Sequence, residues 1–243
     1  MGTCVLPVLK DVYMVSWTVI KTAMDNFEIF RWVLKACELL AALTGFLCWH
    51  KWKGSFWKWF SFYFLFIVTA ELTGMYLRDN ISHQANNLFY SFIVRPVSFL
   101  FFFWVFYRYD SINGIRNKIS GCLALIYAGC LAGDYLYFQH QKFWIQSFSF
   151  SAGTVLLLIL LIRFFINFVF KSDILQYSRN MMFWFSFSLF LYYLGTFPFF
   201  ALRNTLAANY PSVFTGYWYV QMSLSCLMYL LLSFSFIWAK PKL

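Results

Sequence analysis

Charged residues are scarce in this chain. They account for 12% of its 243 residues, and the acidic ones number nine against 19 Lys and Arg, while 62% of the residues are hydrophobic. A soluble domain carries about 25% charged residues. The mean hydropathy of +0.65 therefore excludes an ordinary soluble domain and predicts an integral membrane protein.

Clusters of cysteine and histidine are also missing. The six cysteines show no C-x-x-C spacing, and no histidine stands at metal-ligand spacing from them, which argues against a zinc site or a disulfide framework. The three histidines, His50, His83 and His140, fall in loops or at span ends, so no Ser-His-Asp set is evident. We expect no metal, no cofactor and no catalytic residue.

Long apolar runs determine the fold class. Segments such as "FLFFFWVF" and "VLLLILLIRFFINFVF" are continuously apolar, whereas a transmembrane strand alternates with period two over about 10 residues. About 20 apolar residues cross a bilayer core. The sequence thus predicts an all-α polytopic bundle of seven transmembrane helices, over residues 29–49, 57–77, 88–107, 117–138, 146–169, 181–201 and 215–238.

Residues 1–28 precede this seven-helix domain, 29–243, as an N-terminal extension. Val12, Val15 and Val19 recur at helical spacing, as in a short amphipathic helix lying along the membrane interface. A disordered extension, or translation starting at Met14 or Met24, fits equally well.

The basic residues lie mainly in the loops and form no patch, so nucleic acid is not an expected partner. The loops after spans one, three and five and the C-terminal tail carry ten of them: Lys51, Lys53, Lys58, Arg108, Arg116, Lys118, Lys171, Arg179, Lys240 and Lys242. The loops after spans two, four and six carry only Arg78, Lys142 and Arg203. By the positive-inside rule this predicts a multi-pass inner-membrane protein with its N-terminus outside and its C-terminus inside. Lys10, Lys21, Arg31 and Lys35 weaken the bias, because they lie on the outer side.

Five ionisable residues fall inside the predicted spans: Glu38, Glu71, Arg95, Asp134 and Arg163. Such residues usually face the bundle interior or water. We expect Glu38 to pair with Lys35 or Arg31 on its own helix. Arg163 is expected to snorkel toward the headgroups.

The other three charges predict a site. Counted along the helices, Glu71, Arg95 and Asp134 fall in one layer about 6–11 Å below the outer surface. Polar residues at helical spacing extend that layer along spans three, six and seven. We predict an outward-facing polar pocket with the ligand-binding residues Glu71, Arg95, Asp134, Tyr192, Gln221, Asn87 and Ser91.

One geometric expectation accompanies this pocket. A carboxylate of Glu71 or Asp134 should lie within about 4 Å of the Arg95 guanidinium. The alternative is that Glu71 and Arg95 merely fix the packing of spans two and three, with Gly74 and Ser91 allowing close approach. We also expect Pro96 and Pro198 to interrupt the helical hydrogen bonds near this layer.

The stretches "TAELTGMYLRDN", "NNLFYSFIVRPVSFLFFFWVFY" and "NMMFWFSFSLFLYYLGTFPFFALRN" resemble small, uncharacterised seven-transmembrane inner-membrane proteins of Bacteroidota. Members of that group resemble the membrane sensor modules of histidine kinases. The resemblance covers roughly residues 39–238 and implies a sensory or regulatory part. The positions it marks in this sequence are Glu71, Asn86, Asn87, Tyr90, Trp184, Tyr193 and Gly195.

The function expected from these observations is a sensory or receptor-like subunit. It would bind a small or lipidic ligand in the outer pocket and signal to a separate partner, a cytoplasmic histidine kinase or another membrane subunit, since only about five residues follow the last span. The same charges would suit a transporter or channel, and a structural subunit or a membrane hydrolase remains open. The oligomeric state stays undetermined, and the one partner certain from composition is the lipid bilayer.

Overall fold

The structure is a computed structural model that describes residues 28–114, 119–138, 148–170 and 177–240. The expected N-terminal extension lies outside these residues apart from its last one. So do four loop residues that entered the topology prediction: Arg116, Lys118, Lys142 and Lys171. Over the described ranges the chain forms helices and turns and no strand, which confirms the all-α class.

The helices follow one another closely along the chain. Residues 28–47 form α1, and the later helices are α2 (Trp49–Trp52), α3 (Trp59–Asn80), α4 (His83–Phe89), α5 (Arg95–Ile112), α6 (Ile119–Phe138), α7 (Phe148–Phe170), α8 (Met181–Asn209) and α9 (Pro211–Trp238). A 3₁₀ turn, Phe56–Lys58, leads into α3. A π-helical turn, Tyr90–Val94, joins α4 to α5.

Six segments are long and apolar enough to cross a membrane. They are Phe56–Asn80, His83–Ile112, Ile119–Leu136, Phe148–Phe170, Met181–Leu202 and Ser212–Trp238. These six segments correspond to spans two to seven of the sequence prediction. The multi-pass membrane architecture is thereby confirmed.

Helix α1 occupies the position of the first expected span. It is helical over 20 residues, but Arg31, Lys35 and Glu38 lie within it. Length and composition therefore do not qualify α1 as a span in the way they qualify the other six. The count of seven spans, with the N-terminus outside, stays a prediction.

Neighbouring helices in the chain are also neighbours in space. Helix α8 packs on α7 and α9, and α6 packs on α5 and α7. Helix α1 contacts α3, where Ser61 Oγ donates to Gly45 O at 2.8 Å. It also contacts α9, where the Phe30 and Tyr219 rings lie 5.3 Å apart. Helix α1 therefore lies against both α3 and α9.

Aromatic side chains fill the half of the bundle near the start of α3. Phe60 is fully buried, and its ring lies 4.9 Å from Phe101, 5.1 Å from Phe185 and 6.0 Å from Phe236. Edge-on contacts of this kind stabilise aromatic pairs beyond simple burial. Because they join α3, α5, α8 and α9, they close the interior at this end.

Pro96 explains the π-helical turn. A proline inside a helix has no N–H to donate and its ring presses on the carbonyl four residues earlier. Here the preceding turn widens, and the Arg95 N–H donates to Tyr90 O, five residues back. The extra residue in this turn sets the direction in which the Arg95 side chain projects from the helix. Turns of this π type are frequent at functional sites. The expected interruption at Pro96 is confirmed, whereas α8 continues as one helix through Pro198.

Side-chain caps define several helix ends. Ser82 Oγ accepts from the Ala85 N–H at 3.0 Å at the start of α4, and Asn180 Oδ1 accepts from the Met182 N–H at 3.0 Å at the start of α8. Helix α5 ends just before Gly114, whose φ is +66°, a conformation that favours glycine. These signals fix where the chain turns back across the bundle.

Candidate functional site

A cavity of about 240 Å³ lies between α1, α3, the α4–α5 segment, α8 and α9. It is on the side of the bundle where α3 ends and α4 begins. We call it the outer cavity, after the membrane side predicted from the sequence, and define it by the residues that line it: Arg31, Leu34, Lys35, Glu71, Gly74, Met75, Arg78, Asn86, Asn87, Tyr90, Arg95, Phe200, Trp218, Gln221, Met222 and Ser225. Most of these side chains are polar, which is unusual for the interior of a membrane protein.

Gly74 lets the α4–α5 segment lie directly on α3. A Cβ at this position would sit 2.6 Å from Tyr90 Cε2 and 2.9 Å from Asn86 Oδ1, closer than atoms can approach. With no side chain in the way, Tyr90 Oη donates to Glu71 Oε1 at 2.5 Å. The close approach expected at Gly74 is confirmed, and the partner of Glu71 is a tyrosine.

Arg95 reaches the inner wall of the cavity between two aromatic rings. Its Cζ lies 5.2 Å from the centroid of Phe150 on α7 and 5.5 Å from that of Phe200 on α8. Both distances are in the range of cation–π attraction. Nη1 of Arg95 is buried and has no hydrogen-bond partner. The guanidinium is thus held by its faces, while part of its edge is left free to bind.

The expectation of a carboxylate within 4 Å of Arg95 is wrong. Within the described ranges the ion pairs are Arg78–Asp79 and Arg163–Asp110. Glu71 is engaged by Tyr90, and Asp134 Oδ2 accepts from the backbone N–H of Ser149 at 2.9 Å. The first N–H groups of a helix need acceptors, and Asp134 supplies one to α7 from the adjacent α6. Counting residues along the helices placed Glu71, Arg95 and Asp134 in one layer, but in the structure their side chains face different neighbours.

Two further polar atoms in the outer cavity lack partners. Asn86 Oδ1 and Gln221 Oε1 are both buried without a hydrogen bond, and both residues line the cavity as Arg95 does. A buried polar atom left unsatisfied costs about 1–3 kcal/mol. Three such atoms from α4, α5 and α9 around one space are therefore the feature that most directly indicates a polar ligand.

The charge around the cavity is predominantly positive. Four basic side chains, Arg31, Lys35, Arg78 and Arg95, line it together with one carboxylate, Glu71. Arg78 pairs with its exposed neighbour Asp79, a contact of the kind that contributes little. A low-dielectric wall strengthens the field of the remaining charges, so an anion is attracted to this space.

Lys35 does not form the local ion pair expected with Glu38. Its Nζ donates to Met75 Sδ at 2.8 Å and lies 4.6 Å from the centroid of the Trp32 ring. Glu38 is 5% exposed and lies close enough to Glu71 for their charges to interact. Arg31 and Lys35 stand four residues apart on the turn that faces α3 and α9, a spacing visible in the sequence but not assigned to the pocket.

The predicted site residues separate into two groups. Glu71, Asn87, Arg95 and Gln221 line the outer cavity. Asp134, Ser91 and Tyr192 are not among its lining residues. Ser91 is buried, and Tyr192 stands behind the wall, next to Ser225 and Gln221.

Arg163 does not snorkel to the headgroups as expected. Its Nη1 donates to Asp110 Oδ2 at 3.0 Å, and the two side chains are 19% and 11% exposed. Ser120 Oγ donates to the same carboxylate oxygen at 3.3 Å. This pair joins α5, α6 and α7 away from the outer cavity. Nη2 of Arg163 is buried without a partner, but the guanidinium is already paired with a carboxylate, which indicates a structural role.

The described part of the chain contains no group of three His, Cys, Asp or Glu side chains that could hold a metal ion. The groups that face the outer cavity are mainly guanidinium, ammonium, amide and hydroxyl groups, which bind carboxylate or phosphate oxygens. No protein-family model, curated protein or solved structure matches this chain.

Proposed function

We propose that this protein is a receptor-like membrane subunit that binds a small or lipidic anion in the outer cavity and signals to a separate cytoplasmic partner. The observation that carries the proposal is the set of three unpartnered polar atoms, on Asn86, Arg95 and Gln221, around one positively charged cavity. A carboxylate or phosphate bound there would accept from Arg95 and stay close to Arg31 and Lys35.

The ligand would also need a donor group. Asn86 Oδ1 and Gln221 Oε1 are acceptors, so a hydroxyl or amine beside the anionic group would satisfy them. A hydroxylated carboxylate or a phosphate ester of a polyol has this combination of groups.

The proposed topology has seven spans, with α1 crossing the membrane and the N-terminus outside. The three charged residues that distinguish α1 do not require contact with lipid, because Arg31 and Lys35 line the cavity and Glu38 is buried. The orientation follows the positive-inside rule. A membrane-impermeant maleimide should label Asp79→Cys in intact cells and Lys53→Cys only after the cells are opened; the opposite pattern would invert the topology.

Binding is tested by thermal denaturation of the purified protein with three probes, succinate, glycerol 1-phosphate and lysophosphatidic acid. A ligand present at 100 times its Kd stabilises the folded state by about 2.7 kcal/mol. We expect at least one probe to raise the Tm of the wild type and to leave Arg95→Gln unchanged. Arg179→Gln is the control, because Arg179 is exposed and does not line this cavity; it should respond like the wild type.

Two results would overturn the binding proposal. One is that no probe stabilises the wild type at millimolar concentration. The other is that a probe stabilises Arg95→Gln as strongly as the wild type, since recognition would then not involve this guanidinium. A comparison of free glycerol 1-phosphate with lysophosphatidic acid separates a soluble ligand from a lipidic one.

Signalling needs its own test because binding alone does not demonstrate it. Purification from native membranes in mild detergent should recover a cytoplasmic histidine kinase or another regulator, and a bound probe should change its activity. Recovery of a stoichiometric membrane assembly that ignores the probe would favour a structural subunit.

Transport is the second candidate, because the buried Glu38 interacts with Glu71 and so extends the ionisable residues beyond those that line the outer cavity. Against it, the ring cluster around Phe60 fills the bundle between α3, α5, α8 and α9. A transporter must open a path through that layer. Uptake of a labelled probe into proteoliposomes would favour transport over sensing.

A further inference from the structure

A second cavity, of about 300 Å³, lies at the opposite end of α3 and α5 from the outer cavity. Seven residues line it: Gly54, Ser55, Phe56, Lys58, Trp59, Trp104 and Arg108. We call it the inner cavity. Arg108 stands 13 positions after Arg95 on α5, about 20 Å along a helix, so the two cavities belong to opposite membrane surfaces.

Two unneutralised cations face the inner cavity. Lys58 and Arg108 line it, and no acidic residue is found among its described lining residues. Neither appears in the ion pairs formed within the described ranges. Asp110, two residues after Arg108, is already engaged by Arg163 and Ser120. The carboxylate nearest in the chain is therefore unavailable to Arg108.

Lys51, another basic residue near this cavity, has a different role. Lys51 Nζ donates to Phe236 O at 3.1 Å and to Ile237 O at 2.8 Å. These carbonyls belong to the last turn of α9, where helix carbonyls lack partners within the helix. Lys51 thus fastens the α2 turn to α9. Among the described residues no hydrogen bond of this kind is seen for Lys58 or Arg108, although both stand beside a cavity.

Tryptophan flanks the two cations. Trp59 is 47% exposed, and Lys58 Nζ lies 5.8 Å from the centroid of its ring. Trp104 packs edge-on against Phe56 with the ring centroids 6.3 Å apart. Tryptophan is enriched at the level of the lipid headgroups, so the inner cavity lies at that level. Apolar residues exposed on the same two helices, Phe62 and Leu100, provide a surface for acyl chains.

We infer that the inner cavity binds the phosphate-bearing headgroup of an anionic glycerophospholipid, with Lys58 and Arg108 as its ligands. Basic pockets between transmembrane helices suit such headgroups. The guanidinium of Arg108 matches two phosphate oxygens at once, and the Lys58 ammonium adds a point charge. The phosphate chemistry would also suit a free phosphate ester, whereas the flanking tryptophans and the apolar surface favour the lipid.

The test measures lipid preference in nanodiscs that contain phosphatidylcholine and a small fraction of spin-labelled phosphatidylglycerol. Each basic residue near an anionic headgroup contributes about fivefold in affinity. We expect the wild type to prefer phosphatidylglycerol roughly 30-fold and the doubly substituted Lys58→Gln, Arg108→Gln protein to show no more than a twofold preference. Each single variant should lie between these values.

Lys53→Gln is the matched control. Lys53 is exposed in the same turn and does not line the inner cavity, so its removal lowers the general surface charge by the same amount. The control should keep the wild-type preference. If it lowers the preference as much as Lys58→Gln does, general surface charge explains the attraction and the cavity assignment is wrong.

Two further outcomes would also overturn the inference. One is an absence of any preference in the wild type. The other is full competition by glycerol 1-phosphate at an equal concentration, which would assign the site to a free anion. Arg95→Gln should retain the lipid preference, so failure of the outer cavity to bind an anion leaves this result interpretable. Equal Tm values for Arg108→Gln and the wild type without added lipid would show that the variant folds.

Discussion

Replacement of Gly74 by alanine tests the contact that builds the outer cavity. The added Cβ would lie 2.6 Å from Tyr90 Cε2, and ordinary Cβ contacts begin near 3.4 Å. The ring therefore has to retreat by roughly 0.8 Å. Tyr90 Oη stands 2.5 Å from Glu71 Oε1, so a retreat of that size weakens or breaks this hydrogen bond and displaces Asn86 from the cavity wall.

The energy of this substitution has three parts. Overpacking costs about 1–3 kcal/mol, and loss of a hydrogen bond to a carboxylate costs about 1.5–3 kcal/mol. Replacing Gly by Ala inside a helix returns about 1 kcal/mol. We expect Gly74→Ala to lower the free energy of unfolding by about 1.5–5 kcal/mol, measured by denaturation in detergent micelles. Probe binding in the outer cavity should weaken in parallel.

The control is Gly129→Ala on α6, where an added Cβ would meet nothing within 4 Å. This variant should be neutral or more stable by up to about 1 kcal/mol. In a Tyr90→Ala background the cost of Gly74→Ala should fall by at least 1 kcal/mol, because the clashing ring is gone. If Gly74→Ala is as stable as Gly129→Ala, the close packing of α4–α5 on α3 is refuted.

Three other substitutions test contacts away from the cavity. Asp134→Ala removes the acceptor for the Ser149 N–H and should lower the unfolding free energy by about 0.5–2 kcal/mol. Because Asp134 does not line the outer cavity, the affinity for the probe should not change. A selective loss of probe binding would show that Asp134 belongs to the site after all. Arg163→Met leaves the Asp110 carboxylate without its partner and should lower the unfolding free energy by about 3–5 kcal/mol. The double variant Arg163→Met, Asp110→Asn should recover much of that loss. Equal denaturation midpoints for the single and double variants would argue against the ion pair. Lys51→Met removes two hydrogen bonds to the last turn of α9 and should lower the unfolding free energy by about 1–3 kcal/mol. Amide hydrogen exchange in that turn should become faster. Unchanged exchange would mean that Lys51 does not stabilise the turn.

The helices were largely predictable from the sequence. Crossing a bilayer requires every backbone polar group to be satisfied within the segment, so an apolar run of about 20 residues leaves few alternatives to a helix. For this reason spans two to seven coincide with six helices of the structure. The first predicted span, 29–49, is less clear, because Arg31, Lys35 and Glu38 lower its mean hydropathy toward the value of a loop.

The candidate site was predictable only in part. Glu71, Asn87, Arg95 and Gln221 were identified from polar residues in apolar helices, and all four line the outer cavity. The partner of each was not identified. Spacing along a helix gives depth and relative angle on that helix, but it does not give the rotation of one helix about its axis relative to the next.

Asp134 and Arg95 illustrate this difference. Both were placed in the same layer by counting residues, yet Asp134 turns to the start of α7, while the π-helical turn before Pro96 directs Arg95 between Phe150 and Phe200. The backbone N–H of Ser149 became the partner of Asp134 because α6 and α7 are adjacent antiparallel helices. No periodicity in the sequence contains that information.

The sequence by itself determined that the chain is a multi-pass helical membrane protein with polar residues inside it, because lipid tolerates only segments that satisfy their own backbone and tolerates few charges. The tertiary structure decided which polar residues are satisfied by neighbours and which are left without partners. The unpartnered atoms that meet at the outer cavity, on Asn86, Arg95 and Gln221, depend on how six helices rotate and approach one another. That arrangement is set by close packing at residues such as Gly74 rather than by hydrophobicity.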